Sequence, residues 1–313
     1  MFRALFGAAA ATLCGAMTAG GAVAAQAPAP HRVAGRVVRL VGNDTVPAPR
    51  VRVVLHRVSP AIQGPVDSLS ADGAGRFTFR FVPEKGAIYL VSARFGGIEY
   101  FGRPIQPDPA APDTGLMVVV AERSSTAPVS LVERHTVFGS LGANGRSVVE
   151  VFVIGNDGQA TRIAPDSIRP AWALRLPGGA RGVTVVQGDV AIEAVSTRRD
   201  SLLVFAPIPP GRKQLAIEYL LPAEQRELSL AYDQPVDTVS VLVEDDAAKV
   251  SAPRLAPAPP ETIQGKPLRR WAGRMPAGAT ITVAWPRPGQ TTAIGLAVLV
   301  GLFAVALGFA GWR

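Results

Sequence analysis

The chain of 313 residues carries 32 Lys and Arg against 24 Asp and Glu, a formal net charge of +8, with 28 prolines, 32 glycines and a single cysteine. One cysteine excludes a disulfide framework and a thiolate metal centre, so stability has to come from packing. Low charge content with abundant Val, Gly and Pro describes a β-rich chain rather than a helical bundle.

The first element is an address. Arg3 precedes a small, apolar run from Ala4 to Ala19, and Ala22-Val23-Ala24 or Val23-Ala24-Ala25 offers the small residues of a cleavage site, so residues 1–25 are expected to be an export signal. Cys14 lies inside that run with Leu13 before it, where lipid attachment requires a small residue, so the mature chain has no thiol. Export turns the basic surplus away from nucleic acid and toward anionic lipid or an acidic partner.

A first domain is expected over residues 31–123. Val33 to Val41 is a strand candidate, and Arg50 to Val58 alternates Val51, Val53 and Leu55 with polar neighbours, the period of a half-buried strand. Asp72-Gly73 and Gly75 frame a hairpin turn before RFTFRF, which sets Phe77, Phe79 and Phe81 on one face. Ala87 to Phe95 and Ile98 to Ile105 flank Gly96-Gly97, a two-residue link suited to a tight primed turn. A Pro-rich loop then leads to a last strand, Leu116 to Ala121.

These residues carry a resemblance. Gly35-Arg36-Val37, Pro49 before the alternating strand, the D-G-x-G-x-F-x-F run from Asp72 to Phe79, and Tyr89-Leu90-Val91 together resemble the carboxypeptidase regulatory-like domain over about residues 33–105. The resemblance implies a transthyretin-like antiparallel β-sandwich that accompanies other domains without catalysing a reaction, in a group with carbohydrate-binding-like folds.

Residues 124–286 are expected to form a second antiparallel sandwich, immunoglobulin-like, from strands at 130–138, 147–154, 171–176, 183–187, 190–195, 202–206, 214–220, 227–232 and 238–244. Ser251 to Pro260 is proline-dense and reads as an extended segment, and Ile281, Val283 and Trp285 mark one more alternating strand. From Pro288 to Trp312 no side chain is charged, and residues 292–312 are long enough for one helix across a bilayer, at ~1.5 Å per residue. The fold class is therefore all-β, two tandem sandwiches plus a single C-terminal transmembrane helix.

Catalytic chemistry finds no motif. His31, His56 and His135 share no metal-ligand spacing and read as solvated or structurally bonded, G-x-S-x-G is absent, and Asp67, Asp72 and Gly73 miss the alternation of a calcium loop. No catalytic, cofactor-binding or metal-binding residue is assigned, and no cofactor is expected. Glu244-Asp245-Asp246, the only acidic run, reads as a solvated turn.

Two features concern the membrane. Lys266, Arg269, Arg270, Arg274 and Arg287 form a basic collar before the helix, suited to anionic head groups. Ala297, Gly301, Ala304, Gly308 and Gly311 fall four, three, four and three apart, a stripe of small residues that lets another helix approach. Flanking charge alone would hold the domains in the cytoplasm, but long domains led by an export signal translocate largely regardless. The expectation is a single-pass cell-membrane protein with its domains on the extracytoplasmic, periplasmic side, a non-enzymatic binding or assembly module. Its partners are the membrane and a protein or second copy met through the helix, with no nucleic acid. A surface carbohydrate is an alternative, for which Tyr100, Phe101, Trp172 and Trp271 are the aromatic candidates. An accessory factor of a membrane complex and an enzyme of unrecognised class are the others.

Overall fold

A computed structural model of the chain describes residues 30–42, 44–60, 62–108 and 111–286. The expected signal at 1–25, Arg287, the small-residue stripe and the apolar run at 292–312 lie outside the described residues. No helix among the described residues is long and apolar enough to cross a membrane.

The chain is all-β. Its first part comprises β1 (His31–Val41), β2 (Asp44–Pro47), β3 (Arg52–Val58), β4 (Gln63–Ser70), β5 (Arg76–Phe81), β6 (Ile88–Phe95), β7 (Ile98–Phe101) and β8 (Asp113–Val120). In one four-stranded sheet the long β1 pairs β5 through its first half and β2 through its second, while β8 runs along its other side. The second sheet has the order β4-β3-β6-β7. Strict alternation drives the two together: Phe77, Phe79 and Phe81 point inward with Val33, Val37, Leu116 and Val118, against Val53, Leu55, Tyr89 and Val91 of the facing sheet. Gly35 has to be glycine, because a Cβ there would run into the Leu116 carbonyl of β8 and the Phe77 ring. Gly96 and Gly97 take φ of 56° and 83° and close the β6–β7 hairpin as expected.

The second part comprises β9 (Arg123–Ser124), β10 (Ser130–Gly142), β11 (Gly145–Asn156), β12 (Thr161–Arg162), β13 (Trp172–Arg175), β14 (Arg181–Gly188), a 3-10 turn Ile192–Ala194, β15 (Val195–Arg198), β16 (Ser201–Val204) and β17 (Gly211–Leu221). It continues with β18 (Glu227–Ala231), β19 (Val236–Val243), β20 (Lys249–Ser251), β21 (Leu255–Ile263), β22 (Lys266–Met275) and β23 (Thr280–Ala284). A seven-stranded sheet, β14-β17-β11-β10-β19-β22-β21, is covered on one face by two three-stranded sheets, β13-β16-β15 and β18-β23-β20. Phe138, Phe152, Trp172, Ile217, Val241 and Trp285 fill the space between. Its other face gathers a smaller cluster, with Val137, Val151, Leu242, Ile263 and Leu268 buried.

Several expectations are corrected. The sandwiches are not purely antiparallel: β1 pairs β8 and β10 pairs β19 in parallel, since strands far apart in sequence meet side by side. Asp72 accepts from the N–H groups of Ala74 and Arg76 at 2.8 and 2.7 Å, yet its turn joins β4 to β5 in opposite sheets, so it is an arch rather than a hairpin. The strand expected at 190–195 is a 3-10 turn, with β15 starting at Val195. The proline-dense segment is extended as expected and is paired as β21, at the edge of the seven-stranded sheet. Prolines are tolerated there because one side of the strand needs no ladder hydrogen bond, and the register shifts between Ala258 and Glu261.

The two parts meet at a small polar joint. The Tyr100 hydroxyl of β7 donates to the Ala121 carbonyl at 2.8 Å and lies 2.7 Å from Thr161 Oγ1, while β9 and β12 pair beside it.

Candidate functional site

The collar residues within the described chain sit on β22, the strand next to the sheet edge, which holds them in fixed positions. Lys266 Nζ meets Glu244 Oε1 at 2.6 Å, and Arg270 lies 3.9 Å from Glu261. Arg269 donates to the carbonyls of Asp245 and Ala248, both at 2.7 Å, and stacks over the Trp271 ring. Arg274 is exposed. Arg146, carried on β11, reaches the same place: it donates to the Gly139 carbonyl at 2.6 Å, meets Asp245 at 3.4 Å and packs over Trp285. The acidic run 244–246 is thus the hub of a basic cluster. Its partners come from Arg146 and from the strand at 266–275, a separation that local pattern does not reveal.

Two Ser–His–Glu sets lie on the sheets, and strand register builds both. His56 on β3 pairs across to Leu90 on β6, which puts Ser92 diagonally beside it; Nε2 lies 2.7 Å from Ser92 Oγ and 3.3 Å from Glu99. The Ser92 hydroxyl donates to Glu99 at 2.5 Å, so the imidazole meets that oxygen as a donor, the reverse of a base drawing off a serine proton. In the second set His135 and Ser240 are direct partners in the β10–β19 ladder, with Nδ1 2.7 Å from Ser240 Oγ and Nε2 3.2 Å from Glu133. The order acid, imidazole, hydroxyl matches a hydrolase, but Ser240 is 2% exposed in mid-strand. The ladders on both its sides consume the backbone N–H groups that would stabilise an oxyanion. His31 pairs with Asp113 at 3.0 Å, which also accepts from Arg103.

A third constellation is fully buried. Glu150 accepts from Arg134 Nε at 2.6 Å, from the Tyr219 hydroxyl at 2.7 Å and from Thr136 at 3.4 Å, with Arg134 also packed over Phe152 and Tyr232. Burial alone would lower the Arg134 value, but the charge and hydrogen bond of Glu150 together with the neighbouring Tyr232 and Tyr219 outweigh this and keep the guanidinium charged. Burial, and then Glu150, pushes the Tyr219 hydroxyl well above the usual phenol range, and burial pushes Tyr232 up to about 12. The sequence carried a sign of this: Glu150 shares parity with the core residues Val148, Phe152 and Ile154. A recess of about 250 Å³ opens over Arg134 between Arg175, Gly178, Asp200 and Ser229.

A cleft of about 800 Å³ lies in the first sandwich between Pro30, Pro83, Ile88 and Pro107, with Glu84 and Lys85 at its wall. Of the aromatic candidates, Tyr100 and Trp172 are buried at 4% and 6% exposure, Trp271 is half-buried under Arg269, and Phe101 is exposed. Among the described residues no group of three or more His, Cys, Asp or Glu converges to hold a metal ion.

No family model and no curated protein matches this chain. Among solved structures it is similar to the M1 zinc metallopeptidase from Deinococcus radiodurans, at 13% identity and a TM-score of 0.32 over 51% of this chain and 43% of that one. It is also similar to a two-domain M1 zinc metallopeptidase mutant bound to L-arginine, at 12% identity and a TM-score of 0.33 over 50% of this chain and 42% of that one. The chain thus matches less than half the length of these neighbours, and at that level the likeness carries no argument about activity.

Proposed function

We propose that this chain is a single-pass, membrane-anchored module of the cell envelope that binds or assembles a partner on the extracytoplasmic side. In this reading the first sandwich is a carboxypeptidase regulatory-like, transthyretin-like domain, the second is immunoglobulin-like, and the helix at 292–312 tethers both. One observation carries the proposal. The hydroxyls of Ser92 and Ser240 and the Glu150 cluster are buried, and their bonds tie neighbouring strands within one sheet. A proline-lined cleft is accessible and suits contact with a partner.

The test is a pull-down from gently solubilised envelopes, comparing the full-length protein with a form ending at residue 286. A protein partner recovered with the full chain and weakened by loss of the anchor supports assembly at the membrane; recovery of no partner with either form overturns it. Protease added to spheroplasts should degrade both sandwiches, and the mature chain should begin at residue 25 or 26. Protected domains with a retained N-terminus would reverse the orientation. Gly301→Ile and Gly308→Ile should weaken helix association while Val298→Ile leaves it unchanged; equal signals from all three variants and the parent would reduce the helix to a tether.

A further inference from the structure

Arginines are unequally provided for in this molecule. Several of those in the second part, Arg134, Arg146 and Arg269 among them, find carboxylates or carbonyls, whereas the solvent face of the β2-β1-β5 sheet holds four that do not. Arg32 and Arg36 on β1 stand directly opposite Arg80 and Arg76 on β5 in the antiparallel register, with Ala34 and Thr78 forming the rung pair midway. All four are exposed, because the same alternation that turns Phe77, Phe79 and Phe81 inward turns them out. Strands lie ~4.8 Å apart and rise ~3.4 Å per residue, so the four form a rectangle of about 5 by 14 Å. Like charges set directly opposite on one face repel and destabilise the sheet.

Within the chain only partial relief is in evidence, from Asp72 at the Arg36–Arg76 rung. None of the four has a hydrogen bond or ion pair from its side chain among the described residues. Asp72, whose carboxyl is held below the usual range first by the Arg76 N–H, and also by the charges of Arg76 and Arg36, already accepts from two backbone N–H groups. The stretches outside the described residues contain no Asp or Glu at all. For Arg32 and Arg80 no such carboxylate is at hand, and the counter-charge that completes the set has to come from outside the chain.

The rest of the face indicates the kind of anion. On β8, Met117 lies beside Arg36 and Val119 beside Val38, and they are 55% and 40% exposed. The outward positions of β1, β5 and β8 include no aromatic ring on which a sugar could stack. A face with a cationic rectangle and an exposed thioether and isopropyl at its border matches a surface of anionic head groups over an apolar layer, to which each Arg near the surface contributes independently. We propose that this face docks on anionic lipid, holding the first sandwich against a membrane. The inference goes beyond the assembly reading and does not depend on it, since the pull-down reads a protein partner and the following experiment reads lipid.

Full-length protein in zwitterionic nanodiscs is mixed with vesicles of phosphatidylcholine alone or with one-third phosphatidylglycerol, and vesicle-bound protein is measured by flotation. Binding is expected only to the anionic vesicles, weakening steeply with salt. Each of Arg32→Gln, Arg36→Gln, Arg76→Gln and Arg80→Gln is expected to weaken it about fivefold, with Arg198→Gln on the other sandwich unchanged. Thermal melting keeps the test decisive. Arg36→Gln combined with Arg76→Gln removes a repelling pair and should raise the melting temperature while lowering binding. Full binding by the folded quadruple variant, or equal binding to phosphatidylcholine alone, overturns the proposal. So does binding of an acidic polyuronate by a protein that ignores the anionic vesicles, because the occupant is then a polysaccharide.

Discussion

Two sets of arginines, one in each sandwich, are used in opposite ways. In the first, Arg32, Arg36, Arg76 and Arg80 share a solvent face and repel one another across the rungs, while the interior is hydrocarbon and aromatic. In the second, Arg134 is 1% exposed inside the core and bound to Glu150, and Arg146 and Arg269 are tied to the 244–246 turn. The same side chain is a cross-link where a carboxylate shares its face and an open socket where none does. What decides between these is strand register, which places each guanidinium before any partner is available.

The largest effect should come from breaking the buried pair. Glu150→Ala leaves the Arg134 charge in the core without its partner and should cost about 3–5 kcal/mol by denaturant unfolding, with most of the loss recovered when Arg134→Met is added. If the single variant costs less than about 1 kcal/mol, the guanidinium reaches water and the contrast between the sandwiches weakens. In the first sandwich the matching position is apolar. Phe79→Ala should cost about 3–5 kcal/mol through lost transfer energy and a cavity, with no rescue by a charge change; a negligible loss would mean that the faces of β5 are reversed.

Alkali should separate the two next. Tyr219 and Tyr232 have folded-state values above the ordinary value of 10, so the fold retains protons that the unfolded chain releases. Their contribution is complete below about pH 10 and is lost as pH rises toward and beyond the Tyr232 value of about 12. Urea midpoints between pH 9 and 11.5 should fall for the second sandwich, and Tyr219→Phe with Tyr232→Phe should flatten that slope; an unchanged slope would place the loss elsewhere. The smallest effect belongs to the rim. Lys266→Ala removes a pair whose lysine is 41% exposed, and should change stability by about 1 kcal/mol or less.

Much of the fold was legible because alternation is a direct image of burial. RFTFRF and the Ile281–Val283–Trp285 parity appear in the structure as the pattern implies. β2 and β4 were not legible, since both are edge strands with few buried side chains and a proline, so neither face writes an apolar pattern. At β21 the extended backbone was legible but its pairing was not, because an edge position excuses prolines that hide the strand from a local reading. Among the site residues, Glu150 betrayed itself by parity with core positions. Ser92, Glu99 and Ser240 did not, because their meaning depends on register between strands far apart in sequence. The collar was visible as charge but not as a set of ion pairs, since its acidic partners belong to another strand end.

The parallel pairing of β1 with β8 has a mechanical consequence. These are the first and last strands of the first sandwich, joined over six residue pairs. A pull that draws the start of β1 and the end of β8 apart acts along the strands in opposite directions, so it loads all the rungs at once in shear. A hairpin pulled at its open end would yield one rung at a time. Stretched between a bound surface and a tether, this domain would behave as a clamp, giving way in a single event at high force, whereas the short β9–β12 joint beyond it, with two residue pairs, would yield first.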